Sequence, residues 1–312
     1  HMRNEDDRLL AAIEEALHVG RLANVPVQIS HLKAQGQRNY WKADAALKLL
    51  EQARADGVDV HFDRYPYTAY ATGLSNLFPS EYRAGGNQAF LNRLRDSEYA
   101  SRLEKACREK VALLGDWNSV QISSTGASTS WARGGLVGDL ARARGIEAYD
   151  LTLELLEENA GSVGMIGHGM SEENTAKILA HPLGMLCSDG GSYAPYGSLG
   201  SGSPHPRGYG SFPRFLGHYV RETGALDLES AIHKVTQMPA KKLQLRDRGI
   251  IAPGAYADLV AFDPTTVADQ ATFDNPHQYP LGIPIVIVNG VVTLRDGEHT
   301  GNLGGRAVRG NS

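Results

Sequence analysis

Apolar positions in the first part of the chain follow two alternating rhythms. Leu9, Ile13, Ala16, Leu17 and Gly20 recur at three and four residues and predict a helix over 5–22. The run Val25-Pro26-Val27-Gln28-Ile29-Ser30-His31 then reads as a buried strand. Helical spacing returns with Leu47, Leu50 and Ala53 over 43–55, and Gly57 is a natural stop. Val58-Asp59-Val60-His61-Phe62-Asp63 reads as a second strand. Strand, helix and strand within about 30 residues make one βαβ unit, whose strands run parallel.

The same texture returns later. A helix is expected over 148–159 and a strand over 162–166 that closes at His168. A third repeat begins with Ser171-Glu172-Glu173-Asn174, which puts acid in a helix's first turn, and its strand over 184–189 delivers Asp189 into a loop. Residues 64–85, with Pro66 and several glycines, cannot be regular throughout, and 87–110 reads as a charged helical insertion. Strand character lies around Trp117 and 120–123. Residues 190–209 are rich in Gly, Ser, Pro and Tyr and predict a long ordered loop, followed by helices near 215–222 and 228–243. From Gly249 the chain turns to short β runs, 257–263 and 283–290, and Asn289-Gly290 is a hairpin signal before 291–294. The expected architecture is α/β: part of a TIM-type (β/α) barrel over 1–245, with a small β appendage over 246–312.

Composition narrows the function classes. A chain of 312 residues buries a sizeable core, and its net charge of −4 gives no reason to expect nucleic acid or an anionic membrane as partner. Two cysteines, Cys107 and Cys187, lie far apart without metal-ligand spacing, which predicts a cytoplasmic protein without disulfides. No apolar run reaches the roughly 18 residues of a membrane span. Cys187, on a buried strand, reads as core.

The chemistry concentrates at strand ends. In a β/α barrel the carboxyl ends of the strands carry the active site, and His31, His61 and Asp189 each terminate an expected parallel strand. Two neutral imidazoles and a carboxylate suit one or two hard-to-borderline divalent ions. A metal of this kind acidifies a bound water and polarises a carbonyl, and Asp189 moves the proton. The bland alternative, a satisfied polar group at a strand end, is the better reading for one isolated histidine; three ligands at one end weigh against it. His168 divides between a supporting donor and a structural group. Arg207, in His205-Pro206-Arg207, is a candidate for holding a substrate carboxylate bidentately, against the alternative of a surface arginine. Lys33 is a second anion candidate, with a solvated lysine as its plain alternative. Tyr65 and Tyr67 pack at the barrel rim, with Tyr67 also a candidate substrate contact. His1-Met2 has the look of an appended start, and His1 is given no weight as a ligand.

These segments resemble the N-acyl-D-amino-acid deacylases (D-aminoacylases) of the amidohydrolase superfamily. The likeness is carried by Ile29-Ser30-His31-Leu32-Lys33, Asp63-Arg64-Tyr65-Pro66-Tyr67, Met170-Ser171-Glu172-Glu173, Ser188-Asp189-Gly190, His205-Pro206-Arg207 with Tyr209 to Arg214, and Arg248 to Val260. The last block is widespread among amidohydrolases, whereas Tyr-Pro-Tyr and His-Pro-Arg are more specific. The resemblance implies an amidohydrolase-type barrel and hydrolysis of an N-acyl-D-amino acid, usually with zinc. It implies His31 and His61 as ligands from the fifth and sixth strands. Asp189 becomes the eighth-strand carboxylate that acts as general base and acid, and Arg207 the arginine on the α-carboxylate.

One departure matters. The family's strand-one His-x-His pair and bridging ligand have no counterpart here, and His1-Met2-Arg3-Asn4-Glu5 resembles the segment after the fourth strand. The expectation is the carboxyl-terminal portion of such an enzyme, whether as a fragment, as one of two chains or from a truncated gene. An oligomer or a complementing amino-terminal chain would then cover the open sheet, and the chain alone would be nearly inactive. Two rivals remain: an amidohydrolase acting on a cyclic amide, of the hydantoinase or dihydroorotase kind, and a non-catalytic subunit.

Overall fold

The computed structural model describes residues 1–309. Helix α1 (Leu9–Ala23) buries Leu9, Ile13, Leu17 and Gly20, and it ends at Asn24, whose left-handed backbone returns its N–H to the Gly20 carbonyl. Gly20 is required by close approach, since a Cβ there would lie 2.4 Å from Val27. The helix starts later than its apolar pattern suggests, because Asn4 accepts the N–H groups of Asp6 and Arg8 in a turn that points Glu5 inward.

Strand β1 (Val27–Ile29), helix α2 (Lys42–Ala55) and strand β2 (Val60–Arg64) form the expected βαβ unit, with Val27 opposite Val60 and Ile29 opposite Phe62 in parallel register. Val60, Phe62 and Arg64 point one way and are buried, while His61 and Asp63 point the other. One core gathers Ile29, Val60 and Phe62 of this sheet with Leu9, Ile13 and Leu17 of α1 and Leu47 and Leu50 of α2.

Strand β3 (Ala69–Gly73) lies in the stretch expected to be irregular. It pairs antiparallel with β5 (Gly164–His168), which also pairs antiparallel with β4 (Val120–Ser124). The strand closing at His168 is therefore real, but it belongs to a separate three-stranded antiparallel sheet. Helices Asn87–Arg95, Ser97–Leu114, Val137–Arg144 and Ala148–Glu158 accompany this sheet and supply most of a second core.

The parallel sheet is completed by β6 (Gly184–Leu186), which pairs with β2 through Phe62 and Gly184 after the helix Glu172–Ala180. Its order is β1-β2-β6, so β1 and β6 each have one strand neighbour among the described residues. The long segment after β6 ends in a helix, Arg207–Arg214, that opens on Arg207 itself. Strands β7 (Leu259–Ala261), β8 (Ile285–Val288), β9 (Val291–Arg295) and β10 (Glu298–His299) form an antiparallel sheet. Its β8–β9 turn is Asn289-Gly290, with φ of 50° and 81° as a type I′ hairpin requires. Cys107 and Cys187 are free thiols. No helix among the described residues is long and apolar enough to cross a membrane.

Candidate active site

Two strained residues mark the carboxyl end of the parallel sheet. Just past β1, His31 has φ 43°, and just past β6, Asp189 has φ 46°. Left-handed backbone in a residue with a Cβ costs about 1–3 kcal/mol and clusters at functional positions. Asp63, near the end of β2, braces this region: one carboxylate oxygen accepts the His31 N–H at 2.7 Å and the other the Gln28 side-chain amide at 2.8 Å.

His31 and Asp189 line one cavity of about 250 Å³, together with His1, Glu5, Lys33, Tyr65, Tyr70 and Arg207. On one wall, His31 Nδ1 lies 2.9 Å from a Glu5 oxygen and 2.8 Å from Lys33 Nζ. Lys33 donates to the same Glu5 oxygen at 2.5 Å and to the His31 carbonyl at 3.0 Å, and Gln35 donates to the other Glu5 oxygen. Burial pushes the Glu5 carboxyl up, but Lys33 and His31 outweigh it and hold the group at about 2. With Nδ1 engaged, His31 Nε2 faces His1 Nδ1 at 2.6 Å. A carboxylate on one ring nitrogen, which fixes the ring and leaves the other nitrogen to the metal, is how proteins orient metal-binding histidines.

On the other wall, Arg207 Nη1 lies 2.7 Å from an Asp189 oxygen, in contact but without a well-aligned hydrogen bond. Arg207 stacks on the Tyr65 ring at 4.6 Å and the buried Arg64 on the same ring at 4.5 Å. The Tyr65 hydroxyl is buried and has no hydrogen-bond partner among the described residues. His205 sets the helix that carries Arg207: Nδ1 accepts the Arg207 N–H at 3.0 Å and Nε2 donates to the Ala69 carbonyl at 2.9 Å. Burial, then the Arg207 charge, keeps this imidazole neutral, well below the usual histidine range.

Several expectations need correction. His61 does not line the cavity. It is the second residue of β2, opposite Gln28 rather than level with His31, and its Nδ1, without a hydrogen-bond partner among the described residues, is 3.5 Å from Asp59. Burial, with Lys242 and Arg54 nearby, pushes it down to about 4. The expected trio of His31, His61 and Asp189 is therefore not gathered, and no group of three or more His, Cys, Asp or Glu among the described residues is placed to hold a metal ion. The donors present are two imidazoles in mutual contact, with Asp189 on the same cavity; they are chemically right for zinc but do not make a complete shell. Tyr67 is buried and donates to Asp269 at 3.1 Å, away from the cavity lining. Lys33 is buried against Glu5, not solvated. His168 packs on Phe273 in the antiparallel sheet.

The groups not anticipated are His1, Glu5, Gln35, Tyr65 and Tyr70. His1 stands 30 residues before His31, the same interval that separates His31 from His61. That repeat was the available signal for His1.

A family profile described as Amidohydrolase family matches residues 35–294. The D-aminoacylase of Alcaligenes xylosoxydans xylosoxydans is 34% identical over 312 residues, which is 99% of this chain and 54% of the relative. An N-acyl-D-glutamate deacylase of the same organism is 34% identical over 93% of this chain and 50% of its own length. Among solved structures, the N-acyl-D-glutamate deacylase of Bordetella bronchiseptica, in complex with zinc and a phosphonate mimic of the tetrahedral intermediate, superposes with a TM-score of 0.75 at 32% identity, covering 96% of this chain and 54% of that one. The chain thus spans about half the length of the curated relatives it matches.

Proposed function

This chain belongs to the amidohydrolase family, and on that basis we propose that it carries part of an N-acyl-D-amino-acid deacylase site, cleaving the amide to a free D-amino acid and a carboxylic acid. The observation that supports this reading is the opposition, across one cavity, of the His1–His31 pair and the Asp189–Arg207 pair. Arg207 holds the substrate carboxylate. An incoming carboxylate competes with Asp189 for the guanidinium and so frees Asp189 to take a proton from the attacking water and hand it to the leaving nitrogen. The Tyr65 hydroxyl, which has no hydrogen-bond partner among the described residues, is a donor for charge developing on the acyl oxygen. Lys33, its charge already balanced by Glu5, is the lesser anion contact.

Zinc belongs to this reading; His1 and His31 would hold it, and when bound it supplies an acidified water and a polarised carbonyl. Two imidazoles are fewer ligands than zinc takes, so the remainder comes from outside the groups gathered here. The outer edges of β1 and β6 are where further strands of a (β/α) barrel would join, from an upstream segment or a second chain. Residues 1–245 are then barrel and 246–312 its appendage, in a cytoplasmic protein.

The test is hydrolysis of N-acetyl-D-methionine and its L enantiomer, with zinc and with chelator. D-selective, zinc-requiring turnover is expected, weak in residues 1–312 alone and stronger once the missing ligands are supplied. Equal rates on both enantiomers, or turnover indifferent to chelator, refutes it. A purely binding role has one observation in its favour, the incomplete donor group; D-selective binding without turnover under every metal condition would decide for it.

A further inference from the structure

The segment that joins β7 to β8 leaves the small sheet and packs as a strap onto the larger body of the chain. Val267 is fully buried there, and a Cβ on Gly217 would stand 2.5 Å from the Val267 carbonyl oxygen, which Arg221 also holds at 2.6 Å. Farther along, the strap meets the helix Arg207–Arg214 and its supports. Asp269 accepts the Tyr67 hydroxyl at 3.1 Å and lies 3.6 Å from Arg214, the last residue of that helix. His277 Nδ1 is 2.9 Å from the hydroxyl of Tyr209, the helix's third residue, and its Nε2 donates to the Gly202 carbonyl at 3.1 Å.

Between these two polar contacts the half-buried Phe273 lies edge-on to three rings, with centroids 4.8 Å from His168, 5.0 Å from His205 and 6.3 Å from Tyr67. Its carbonyl accepts the Gln121 amide at 3.2 Å. His205 is the contact that bears on the site, because its Nδ1 accepts the Arg207 N–H. It can do so only while neutral, since a second ring proton would turn the acceptor into a donor. The ring is 3% exposed, and the groups facing it are Arg207 from its own segment, Arg64, Tyr65 and Tyr67 from the end of β2 onward, and His168 of β5. Burial and the two guanidinium charges therefore act in the same direction.

We infer that Phe273 is a positioning residue for Arg207: lying across His205, it keeps water from the imidazole and so fixes the start of the helix that aims the guanidinium at Asp189. Phe273 does not itself line the cavity, so the segment between β7 and β8 serves the site without entering it. What Arg207 grips rests on the deacylase reading; how Arg207 is held does not, and the two are tested apart.

The first measurement needs no ligand. In residues 1–312, NMR follows the His205 ring against pH and the exchange of the Arg207 N–H with solvent. The wild type and Phe273→Leu, which keeps an apolar cover, should show no His205 titration between pH 5 and pH 8. In Phe273→Ala the ring gains water and its pKa moves back up toward 6.5, still restrained by Arg207 and Arg64, and the Arg207 N–H should exchange about tenfold faster or more. The second measurement is calorimetric titration with N-acetyl-D-methionine at pH 5.5 and pH 8. Arg207→Met should weaken binding about tenfold or more at both values. Phe273→Ala should approach that loss at pH 5.5 and recover at pH 8, and Phe273→Leu should match the wild type throughout. If Phe273→Ala does not fold, Phe273→Val is read by the same criteria. A variant whose His205 stays silent and whose Arg207 N–H exchanges as in the wild type overturns the inference. So does binding that Arg207→Met weakens and Phe273→Ala leaves intact at pH 5.5. A wild type that does not bind, or an Arg207→Met that binds equally well, refutes the deacylase reading instead, and the NMR result then decides the inference alone.

Discussion

Replacing Lys234 with methionine should change how stability depends on pH, by an amount the structure sets. Lys234 lies in the helix Leu228–Val235, is 5% exposed, and donates to the carbonyls of Gly184, at 2.8 Å, and His181. It has no ion pair among the described residues, and burial lowers its pKa from 10.5 to about 8. The folded state therefore releases the proton near pH 8, while the unfolded chain keeps it to about 10.5. Where the unfolded state binds more protons, stability rises with pH. At ~1.36 kcal/mol per pKa unit the full effect is about 3 kcal/mol, of which roughly 2–3 kcal/mol develops between pH 7 and pH 10. Buried Tyr67, Tyr70, Tyr219 and Cys107 and the half-buried Cys187 have raised pKa values and pull the other way at alkaline pH, because the unfolded chain ionises first. That contribution is common to both proteins, so the informative quantity is the difference between wild type and Lys234→Met in urea unfolding at several pH values. The wild type should gain on the variant steadily through the window. A difference that stays flat from pH 7 to pH 10 would show that Lys234 is not titrating as a desolvated amine and would refute the reasoning.

Zinc affinity, measured by competition with a chromophoric chelator, should fall about tenfold or more in His31→Ala and in His1→Ala and stay unchanged in His61→Ala; a loss in His61→Ala alone would restore the discarded trio. Ser171→Ala removes the Oγ that accepts the Asn174 N–H at the start of helix Glu172–Ala180 and should cost about 1 kcal/mol in denaturant unfolding. Gly167→Ala would put a Cβ 2.4 Å from the Tyr70 ring and should cost about 1–3 kcal/mol, with no cost meaning that Tyr70 moves freely.

Local structure was legible wherever one element buries one face. The periods of α1 and α2, the capped start at Ser171 and the Asn289-Gly290 turn all appear where the pattern puts them. Strand pairing was not legible, because residues 164–168 have the composition of a buried strand whether the neighbour runs parallel or antiparallel. Of their partners, β4 was expected as a strand, whereas β3 sits in a stretch whose Pro and Gly content hid it. His31, Lys33, Asp189 and Arg207 line one cavity, and His61 was misplaced in a related way. A 30-residue interval relates His1, His31 and His61, but it does not say which rung of its strand each occupies. The register does: Gln28 faces His61, so His31 lies three residues further along, level with Arg64. Glu5 was hidden because its charge fitted the first turn of an expected helix, whereas its carboxylate is spent on Lys33 and His31.

How Asp189 and Arg207 meet follows from the backbone between them. Asp189 turns out of β6 through a left-handed conformation, and the chain returns after a long Gly- and Ser-rich loop. The two ends close tightly because Gly190 and Gly208 lie back to back: a Cβ on Gly190 would stand 2.7 Å from the Gly208 Cα. Side chains there would separate the neighbours they follow, Asp189 and Arg207, and the 2.7 Å contact depends on their absence. On the opposite wall His31 has the same strained backbone but a different support, the Asp63 carboxylate on its N–H. Each wall thus holds one residue in a conformation its own Cβ disfavours, and each is fixed by a neighbour chosen for that geometry rather than for apolar packing. That pattern is expected where position matters more than stability, and it separates these two strand ends from the unstrained His61 in the middle of the sheet.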